Sequence, residues 1–313
     1  MIDLLGLAML ITTAVLLGWL SVRAWKTKNS LLKWGGASLA AFASAAVTLV
    51  SVIVIVGLFK VYARSAPALD LRVAGTPEQI QRGREISDGF CSACHSITGT
   101  LTGGLNIDLP VPIGSFVSAN LTPGGQLSHW SDGDIFRAIR NDIDRDGRWL
   151  VIMSYTNAGR LSDDDTRAVI AYIRSLPAAG KPTPNPPDHL NLLGVMMLGA
   201  GMLPAGKPVS TGIVTAPPVS PTLEYGEYIL SYQDCRACHG ERLTGGVPGQ
   251  IGPLGPDLTV VKGWKLEEFV ATLRTGVDPN GHELGKDMPW RPIGRMGDDE
   301  LRAVYEYLTH LPG

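Results

Sequence analysis

The sequence predicts an all-α protein, in which an N-terminal hairpin of two transmembrane helices is followed by two small helical domains. Three observations support this class. Two long runs without a charged residue occupy the first sixty residues, a five-residue motif with two cysteines and one histidine occurs twice, and the sequence around the first copy is repeated around the second. Such internal similarity indicates one structural unit that occurs twice in the chain.

The N-terminal hairpin, residues 1–64, is predicted from two apolar runs. Leu4–Val22 and Gly36–Phe59 are 19 and 24 residues long and contain no charged residue, and about 20 apolar residues suffice for a helix to cross a bilayer. A run of 24 residues is also long for a buried core helix. A cleaved signal peptide fits poorly, because the first three residues lack the basic side chains with which such a peptide begins.

The loop between the two runs predicts the orientation of the hairpin. It contains no acidic residue and four basic ones, and an excess of lysine and arginine marks the cytoplasmic side of a membrane protein. We therefore expect an anchor in the inner membrane, with everything after Lys60 on the periplasmic face. The basic residues of the loop are Arg23, Lys26, Lys28 and Lys33.

The composition gives no indication of a nucleic-acid partner. The 313-residue chain has a formal net charge of −2, so it lacks the basic excess that attracts phosphate backbones. A chain of this length has room for about two or three domains. We predict a first domain at 65–177, a linker rich in proline and glycine at 178–221, and a second domain at 222–313.

The repeated motif is Cys-x-x-Cys-His, which is typical of a covalent attachment site for c-type haem. Two thiols at this spacing lie about one helical turn apart, where each can form a thioether with a haem vinyl group. The histidine that follows then lies beside the iron and supplies its proximal nitrogen ligand. The sequence therefore predicts two covalently bound haem c groups. The attachment residues are Cys91, Cys94, His95, Cys235, Cys238 and His239.

Two other roles are known for a Cys-x-x-Cys pair. A thioredoxin-like redox pair does not need the histidine, and the surrounding sequence has no strand–helix–strand pattern. A zinc site shared by both pairs would use all four cysteines of the chain but leave both histidines unexplained. The haem interpretation accounts for every cysteine and for both histidines.

The two copies correspond beyond the motif itself. Leu-Thr-Gly-Gly follows each motif, at 101–104 and at 243–246, and a tryptophan stands ten residues before an arginine in each copy, at Trp130 and at Trp264. Each indole could donate its N–H to a haem propionate or could simply pack beside the ring, and both roles stay open at this point.

Helix-start signals mark the borders of the first domain. Thr76 followed by Pro77 predicts a helix that runs into the first motif. Ser162 with an acid three residues later predicts the last helix of the domain, which Pro177 ends. The apolar middle of the linker, 190–203, is too short to span a membrane and is expected to pack across a domain interface or to touch the bilayer.

One methionine in each copy is a candidate for the second axial ligand of the iron. Met153 lies 58 residues after the first motif histidine and Met288 lies 49 residues after the second, each in a loop before the last helix of its copy. A lone methionine is usually core filler, but a shared position in two repeats favours ligation by thioether sulfur. Met296 is the competitor for the second site, although it precedes a helix N-cap, where an apolar residue has its own packing role.

These motifs make the chain resemble the class I cytochrome c family in a tandem form with two haems. The resemblance covers roughly 76–177 and 222–313. It rests most clearly on Tyr-Gly-Glu-Tyr at 225–228, Gly-Pro-Asp-Leu-Thr at 255–259 and Met-Pro-Trp at 288–290. It implies a small α-helical bundle around each haem, and therefore two class I cytochrome c domains after the hairpin.

The first copy also resembles a narrower group. Asn-Leu-Thr-Pro at 120–123, followed by Trp130, is similar to the cytochrome subunits of membrane-bound alcohol and sugar-acid dehydrogenases. Those subunits carry three haems, whereas this chain has two motifs, and they have proline where this chain has Ser154. A hairpin followed by two haem domains also looks like the dihaem subunit of C-family haem–copper oxidases.

The predicted function is electron transfer. Two six-coordinate irons leave no open site for substrate, so we expect a subunit of a respiratory or photosynthetic complex that is not catalytic alone. The implied partners are the lipid bilayer, other subunits of the complex and redox proteins. Two alternatives stay open: a dihaem peroxidase, which would need Met153 to leave its iron, and a free-standing membrane cytochrome that accepts electrons from dehydrogenases.

Overall fold

The computed structural model describes residues 2–109, 111–204, 206–250 and 252–311, and these residues are mostly helical. Residues 1, 312 and 313, at the outer limits of the predicted hairpin and second domain, lie outside the described residues. The α-helices are α1 (Ile2–Trp25), α2 (Ala37–Tyr62), α3 (Pro77–Ile86), α4 (Ser92–His95), α5 (Asp132–Asn141), α6 (Asp163–Ser175), α7 (Leu192–Gly199), α8 (Leu223–Tyr232), α9 (Cys235–His239), α10 (Leu266–Thr275), α11 (Trp290–Ile293) and α12 (Asp298–Thr309).

Shorter elements connect these helices. Two strands, β1 (Gly114–Phe116) and β2 (Asp188–Leu190), form an antiparallel ribbon, which the all-α prediction did not include. The remaining turns are the π-helical segments Leu32–Gly36 and Ser87–Cys91 and the 3₁₀ segments Gln126–His129, Met153–Tyr155, Ala158–Arg160 and Leu258–Gly263.

The N-terminal hairpin consists of α1 and α2, packed side by side. The Ser21 hydroxyl donates to the Ala37 carbonyl at 2.8 Å, and the Ser44 hydroxyl donates to the Ala14 carbonyl at 2.8 Å, so the two helices run antiparallel. By length and composition, Leu4–Trp25 and Leu32–Tyr62 could each cross a membrane. The two long apolar helices of the prediction are therefore present.

The predicted helix starts are confirmed in the first domain. The Thr76 hydroxyl accepts from the backbone N–H of Gln79 at the start of α3. The Ser162 hydroxyl accepts from the backbone N–H of Asp165 at the start of α6. Side chains at these positions satisfy N–H groups that have no partner inside the helix.

In each domain the first and last helices cross at a glycine. A Cβ atom on Gly83 of α3 would lie 1.9 Å from the carbonyl oxygen of Ala168 in α6, and one on Gly226 of α8 would lie 2.1 Å from that of Ala303 in α12. No real side chain fits at such distances. The two crossings therefore give both domains the same framework, which carries the motif helices α4 and α9.

The segment at 178–221 is folded rather than a free connection. Its strand β2 pairs with β1 of the first domain, with Ser115 opposite His189. Its helix α7 packs on α2, where a Cβ atom on Gly57 would lie 2.0 Å from the carbonyl oxygen of Val195. The Lys60 ammonium donates to the Leu198 carbonyl at 2.8 Å. The apolar middle of this segment, 190–203, thus packs on the hairpin. Its helix α7 is too short to span a membrane.

The first domain packs on the C-terminal end of α2. Trp149 and Val151 belong to one apolar cluster with Val54 and Val61 of α2. The backbone N–H of Trp149 donates to the Val61 carbonyl at 3.1 Å. The loop that contains Met153 is therefore held between its own domain and the hairpin.

We predict that Gly226→Val disrupts the second domain, because its side chain would collide with the backbone of α12. Overpacking of this kind costs about 3 kcal/mol. Unfolding monitored by visible absorbance would measure the loss. The control is Gly263→Ala, where the added methyl group meets no atom within 4 Å and the change should stay within about 0.5 kcal/mol. Equal stability of both variants would show that the crossing is looser than described.

Candidate haem-binding sites

Both Cys-x-x-Cys-His motifs line one continuous cavity of about 950 Å³. This volume lies at the upper end of the range of about 300–1,000 Å³ that small-molecule sites occupy. The structure brings all ten predicted site residues to the wall of this cavity. They are Cys91, Cys94, His95, Trp130, Met153, Cys235, Cys238, His239, Trp264 and Met288.

The two motif histidines are oriented in the same way. The Nδ1–H of His95 donates to the Ala119 carbonyl at 2.8 Å, and that of His239 donates to the Pro256 carbonyl at 2.7 Å. A carbonyl oxygen can only accept, so each Nδ1 carries the proton and each Nε2 has a free lone pair. This arrangement fixes the tautomer and the ring orientation that a histidine metal ligand needs.

The surroundings of His95 favour the neutral ring. Burial lowers the pKa of His95, so its imidazole is uncharged at neutral pH. Gly255 lies directly against the other ring, because a Cβ atom there would come within 2.7 Å of Nδ1 of His239. This close contact explains why residue 255 is a glycine. In the sequence, the signal for this contact was the position of Gly255 beside Pro256.

Burial raises the pKa of the cysteine thiols in both motifs. All of them are free, and burial raises the pKa of Cys91 to about 11 and that of Cys235 to about 12. Reactive or metal-binding cysteines have lowered pKa values instead. Within the described residues, no three His, Cys, Asp or Glu side chains converge on a metal position. The arrangement of these side chains thus disfavours a zinc site shared by the two motifs.

The turn after each motif is also repeated. The backbone N–H of Gly103 donates to the His95 carbonyl at 2.7 Å, and that of Gly245 donates to the His239 carbonyl at 2.9 Å. This repeated turn explains why Leu-Thr-Gly-Gly follows both motifs in the sequence.

Met153 lies in a 3₁₀ turn on the wall of the first half of the cavity. Ser154 follows it where the resemblance has proline. Its backbone N–H donates to the Leu150 carbonyl at 3.1 Å, and its hydroxyl donates to the Val151 carbonyl at 2.7 Å. Proline could make neither bond. The serine therefore holds the turn by hydrogen bonds in place of a rigid ring.

Met288 occupies the matching loop of the second domain. Its backbone N–H donates to the Gly285 carbonyl at 2.9 Å, and Pro289 precedes the short helix α11. Met296, the competitor, is 3% exposed and does not line the cavity. Its sulfur accepts from the Gln233 amide at 3.5 Å, and its Cγ lies 2.7 Å from where a Cβ atom would sit on Gly89. Met296 therefore fills the contact between the two domains.

Trp130 and Trp264 line the cavity and also pack against the main apolar core. Within the described part of the chain, neither indole N–H has a hydrogen-bond partner in the protein, so both are free to donate to a ligand in the cavity. Packing and donation are compatible for these two side chains.

A buried ion cluster joins the two domains. The Arg82 guanidinium of α3 contacts Asp165 of α6 at 2.8 Å and Glu300 of α12 at 2.6 Å. Tyr228 donates its hydroxyl to Asp165 at 2.6 Å, and Tyr225 donates to Glu300 at 3.3 Å. One arginine thus compensates carboxylates from two domains. Sequence analysis missed this cluster, because these residues are far apart along the chain and form no motif.

A second contact joins the two sites more directly. The Asp234 carboxylate, next to Cys235, accepts hydrogen bonds at 2.8 Å from the backbone N–H and from the side-chain amide of Asn157. Asn157 follows the turn that contains Met153. The loop that contains Met153 is therefore bonded to the residue that directly precedes the second motif.

The two halves of the cavity differ in exposure. The lining of the first half includes buried apolar side chains, among them Leu127, Ile135 and Val169. The second half includes Leu254, which is 63% exposed, and Val260, which is 51% exposed. A group bound in the second half would be the more accessible of the two from solvent.

Comparison with known proteins agrees with this geometry. The family model of cytochrome c matches residues 80–177 and 224–312. A nicotinate dehydrogenase subunit from Pseudomonas putida is 28% identical over 264 residues, which cover 75% of this chain and 21% of the relative. The cytochrome c subunit of alcohol dehydrogenase (quinone) from Gluconacetobacter polyoxogenes is 25% identical over 274 residues, 77% of this chain and 58% of the relative.

A third relative is also named as the cytochrome c subunit of a dehydrogenase. The cytochrome c subunit of gluconate 2-dehydrogenase from Pantoea cypripedii is 27% identical over 265 residues, which cover 74% of this chain and 59% of the relative. This chain therefore spans less than three fifths of the length of each of these relatives.

We predict that Arg82→Gln separates the two domains, because it leaves two buried carboxylates unpaired. Breaking a buried ion pair from one side costs about 3–5 kcal/mol. The matched control is Arg84→Gln on the same helix, where the side chain is 62% exposed and its carboxylate partner is 3.5 Å away; this change should cost less than about 1 kcal/mol. Denaturant unfolding measures both losses, and similar values would contradict the role of the cluster.

We predict that Met288→Ala changes the visible spectrum and lowers the reduction potential of one haem, because it would remove the candidate thioether ligand. Met153→Ala should do the same for the other haem. Met296→Ala is the control: it should lower stability by about 2–5 kcal/mol and leave the spectrum of the folded protein unchanged. Redox titration followed by absorbance separates these outcomes. An unchanged spectrum in Met288→Ala would show that this methionine is not the ligand.

Proposed function

The chain belongs to the cytochrome c family, and on that basis we propose that it is a membrane-anchored cytochrome with two covalently bound haems that carries electrons for a dehydrogenase complex. The observation that carries this proposal is the single cavity whose wall holds both attachment motifs and both candidate methionines. The family itself accounts for covalently bound haem c and for electron transport.

The side chains of the cavity fit a haem in each half. In the first half, Cys91 and Cys94 would form the thioethers and His95 would bind the iron, and the second motif would do the same. A bound haem supplies an iron that gains and loses one electron. Met153 and Met288 would close the other axial positions, which favours electron transfer over the peroxidase alternative, because a peroxidase needs an open iron.

The protein around the haems would contribute an apolar environment. Apolar side chains form most of the first half of the cavity, and such a lining excludes water and favours the less charged, reduced state of the iron. Because the cavity is continuous between the two motifs, two bound haems would be neighbours. We infer that the more exposed second half is where a soluble domain of a partner would exchange electrons.

The hairpin is proposed as the membrane anchor, with its loop in the cytoplasm. Aromatic and basic side chains cluster at the loop end of α1 and α2. The rings of Trp25 and Trp34 lie 4.9 Å apart, Lys33 lies 5.3 Å from the Trp25 ring, and Arg23 lies 5.0 Å from that of Trp19. Such residues are typical of the membrane–water interface on the cytoplasmic side. Both cytochrome domains would then face the periplasm.

The proposed partner is a dehydrogenase subunit. The relatives described above are named as subunits of nicotinate, alcohol and gluconate dehydrogenases. The role of this chain in a complex would be to pass on the electrons that the partner removes from its substrate.

We predict that the native particle contains a dehydrogenase. Membranes of the source organism are washed with alkaline carbonate and then solubilised in mild detergent, and native gel electrophoresis with haem staining locates the protein. The haem band should resist the carbonate wash, and mass spectrometry should find a dehydrogenase catalytic subunit in it. An oxidase subunit in the band would favour the haem–copper oxidase alternative. A band that runs alone would contradict the complex and favour a free-standing cytochrome.

A further inference from the structure

A carboxylate lies between the two haem sites. Asp234 lines the haem cavity and directly precedes Cys235, the first residue of the second motif. Burial, and after it the negative charge of Asp234, raises the pKa of three motif thiols, Cys94 in the first motif and Cys235 and Cys238 in the second. A charge has such an effect only at short range. The charge of Asp234 therefore acts on the attachment residues of both motifs.

Contacts from outside its own domain hold this carboxylate in place. Asn157 of the first domain donates to it from the backbone N–H and from the side-chain amide, each at 2.8 Å. The Lys207 ammonium, in the segment that follows α7, donates to the side-chain oxygen of Asn157 at 2.7 Å and to the Thr156 carbonyl. Asp234 is thus fixed where the two domains meet, and it is only partly buried, so protons from the solvent can reach it.

Charged groups from several parts of the chain face Asp234. Lys207 is the cation that favours its ionised form. Lys207 in turn faces Arg160 and Asp142, and Asp142 is paired with Arg64 at 3.6 Å. The motif thiols face Asp234 from the cavity side, and they cannot titrate once they have formed thioethers. Of the two acids, Asp234 belongs to the described lining of the haem cavity and Asp142 does not.

The surroundings of Asp234 increase its affinity for a proton. Burial raises its pKa, and the hydrogen bonds from Asn157 together with the charge of Lys207 offset part of that effect. An unperturbed aspartate has a pKa of about 3.9, so Asp234 changes its charge at a higher pH than this. A further negative charge nearby would raise the pKa again, because like charges disfavour the ionised form.

We propose that Asp234 takes up a proton from the solvent when the haems beside it are reduced, so that electron transfer through this chain is coupled to proton transfer. An electron from a donor protein converts Fe(III) to Fe(II) and lowers the positive charge beside Asp234 by one. The carboxylate then binds one proton and becomes a carboxylic acid. The proton returns to the solvent when the electron passes to an acceptor. This inference rests on the proposed binding of one haem in each half of the cavity.

The expected signature is a reduction potential that depends on pH. Because the reduced protein binds the proton more tightly, the potential of each haem should fall as the pH rises above the ordinary pKa of aspartate, and should level off once Asp234 is ionised in both states. One full proton per electron corresponds to a tenfold change in the equilibrium constant, or about 59 mV, per pH unit. Redox titration of the purified holoprotein, followed by absorbance at a series of pH values, measures this dependence for both haems.

Two matched variants test the assignment. Asp234→Asn removes the charge and keeps the shape, and it should flatten the pH dependence of both haems. The control is Asp278→Asn in the second domain, because Asp278 also lines the cavity. The backbone N–H groups of His282 and Asn280 donate to Asp278 at 2.8 Å and lower its pKa. Asp278 therefore stays charged where Asp234 titrates, and its removal should shift a potential by a constant amount without changing the pH dependence.

Each outcome supports or overturns the proposal. Potentials of the wild-type protein that do not change with pH would overturn it. A pH dependence that persists in Asp234→Asn would assign the proton to another group, such as a haem propionate, and equal losses in Asp234→Asn and Asp278→Asn would show that the effect is not specific.

A third variant keeps the test decisive if Asp234→Asn fails to fold. Lys207→Gln removes the ammonium that favours the ionised carboxylate, so the pH range over which the potential changes should move upward; an unchanged range would contradict the proposal. Haem content, measured on the same samples as the pyridine haemochrome, tests the binding of two haems separately. A failure of that proposal is therefore distinguishable from a failure of proton coupling.

Discussion

The arrangement of the two haem sites depends on a buried arginine shared by two domains. Arg82 comes from the first helix of the first domain, and its carboxylate partners Asp165 and Glu300 come from the last helices of the first and second domains. In a dry interface neither carboxylate tolerates the loss of this partner. Because α6 lines the first half of the cavity and α12 lines the second, the Arg82 ion pairs join the walls of the two halves.

Close backbone contacts fix the relative positions of the elements within each domain. The glycine crossings at Gly83 and Gly226 bring the first and last helices together at a distance that no other residue permits. Near the second motif, Gly255 allows the backbone to lie against the ring of His239, and the adjacent Pro256 carbonyl accepts its Nδ1 proton. The orientation of the candidate iron ligand thus follows from backbone packing, which makes it insensitive to side-chain motion.

The hairpin also supports the first candidate haem site. The turn with Met153 is flanked by Trp149 and Val151, which pack on Val54 and Val61 of α2. The helix α7, on the chain between the two domains, packs on the same part of α2. The distal side of the first site is therefore built partly on the hairpin.

Much of the site could be predicted from the sequence because its chemistry depends on short spacings. Two thiols and a histidine within five residues imply one attachment geometry, and the same motif twice implies two sites. The methionines Met153 and Met288 were found because a repeat places them at matching positions, and both line the cavity. The helix starts at Thr76 and Ser162 could be predicted because capping depends on neighbours three residues away.

Only the tertiary structure decided what depends on residues distant in sequence. The strands β1 and β2 are each three residues long, which is too short for an alternation of apolar and polar residues to indicate a strand. The joint cavity, the Arg82 cluster and the contact of Asn157 with Asp234 link residues more than seventy positions apart. Local sequence determines which residues can bind a haem, whereas the packing of two domains and a hairpin decides that the two sites adjoin and what lies beside them.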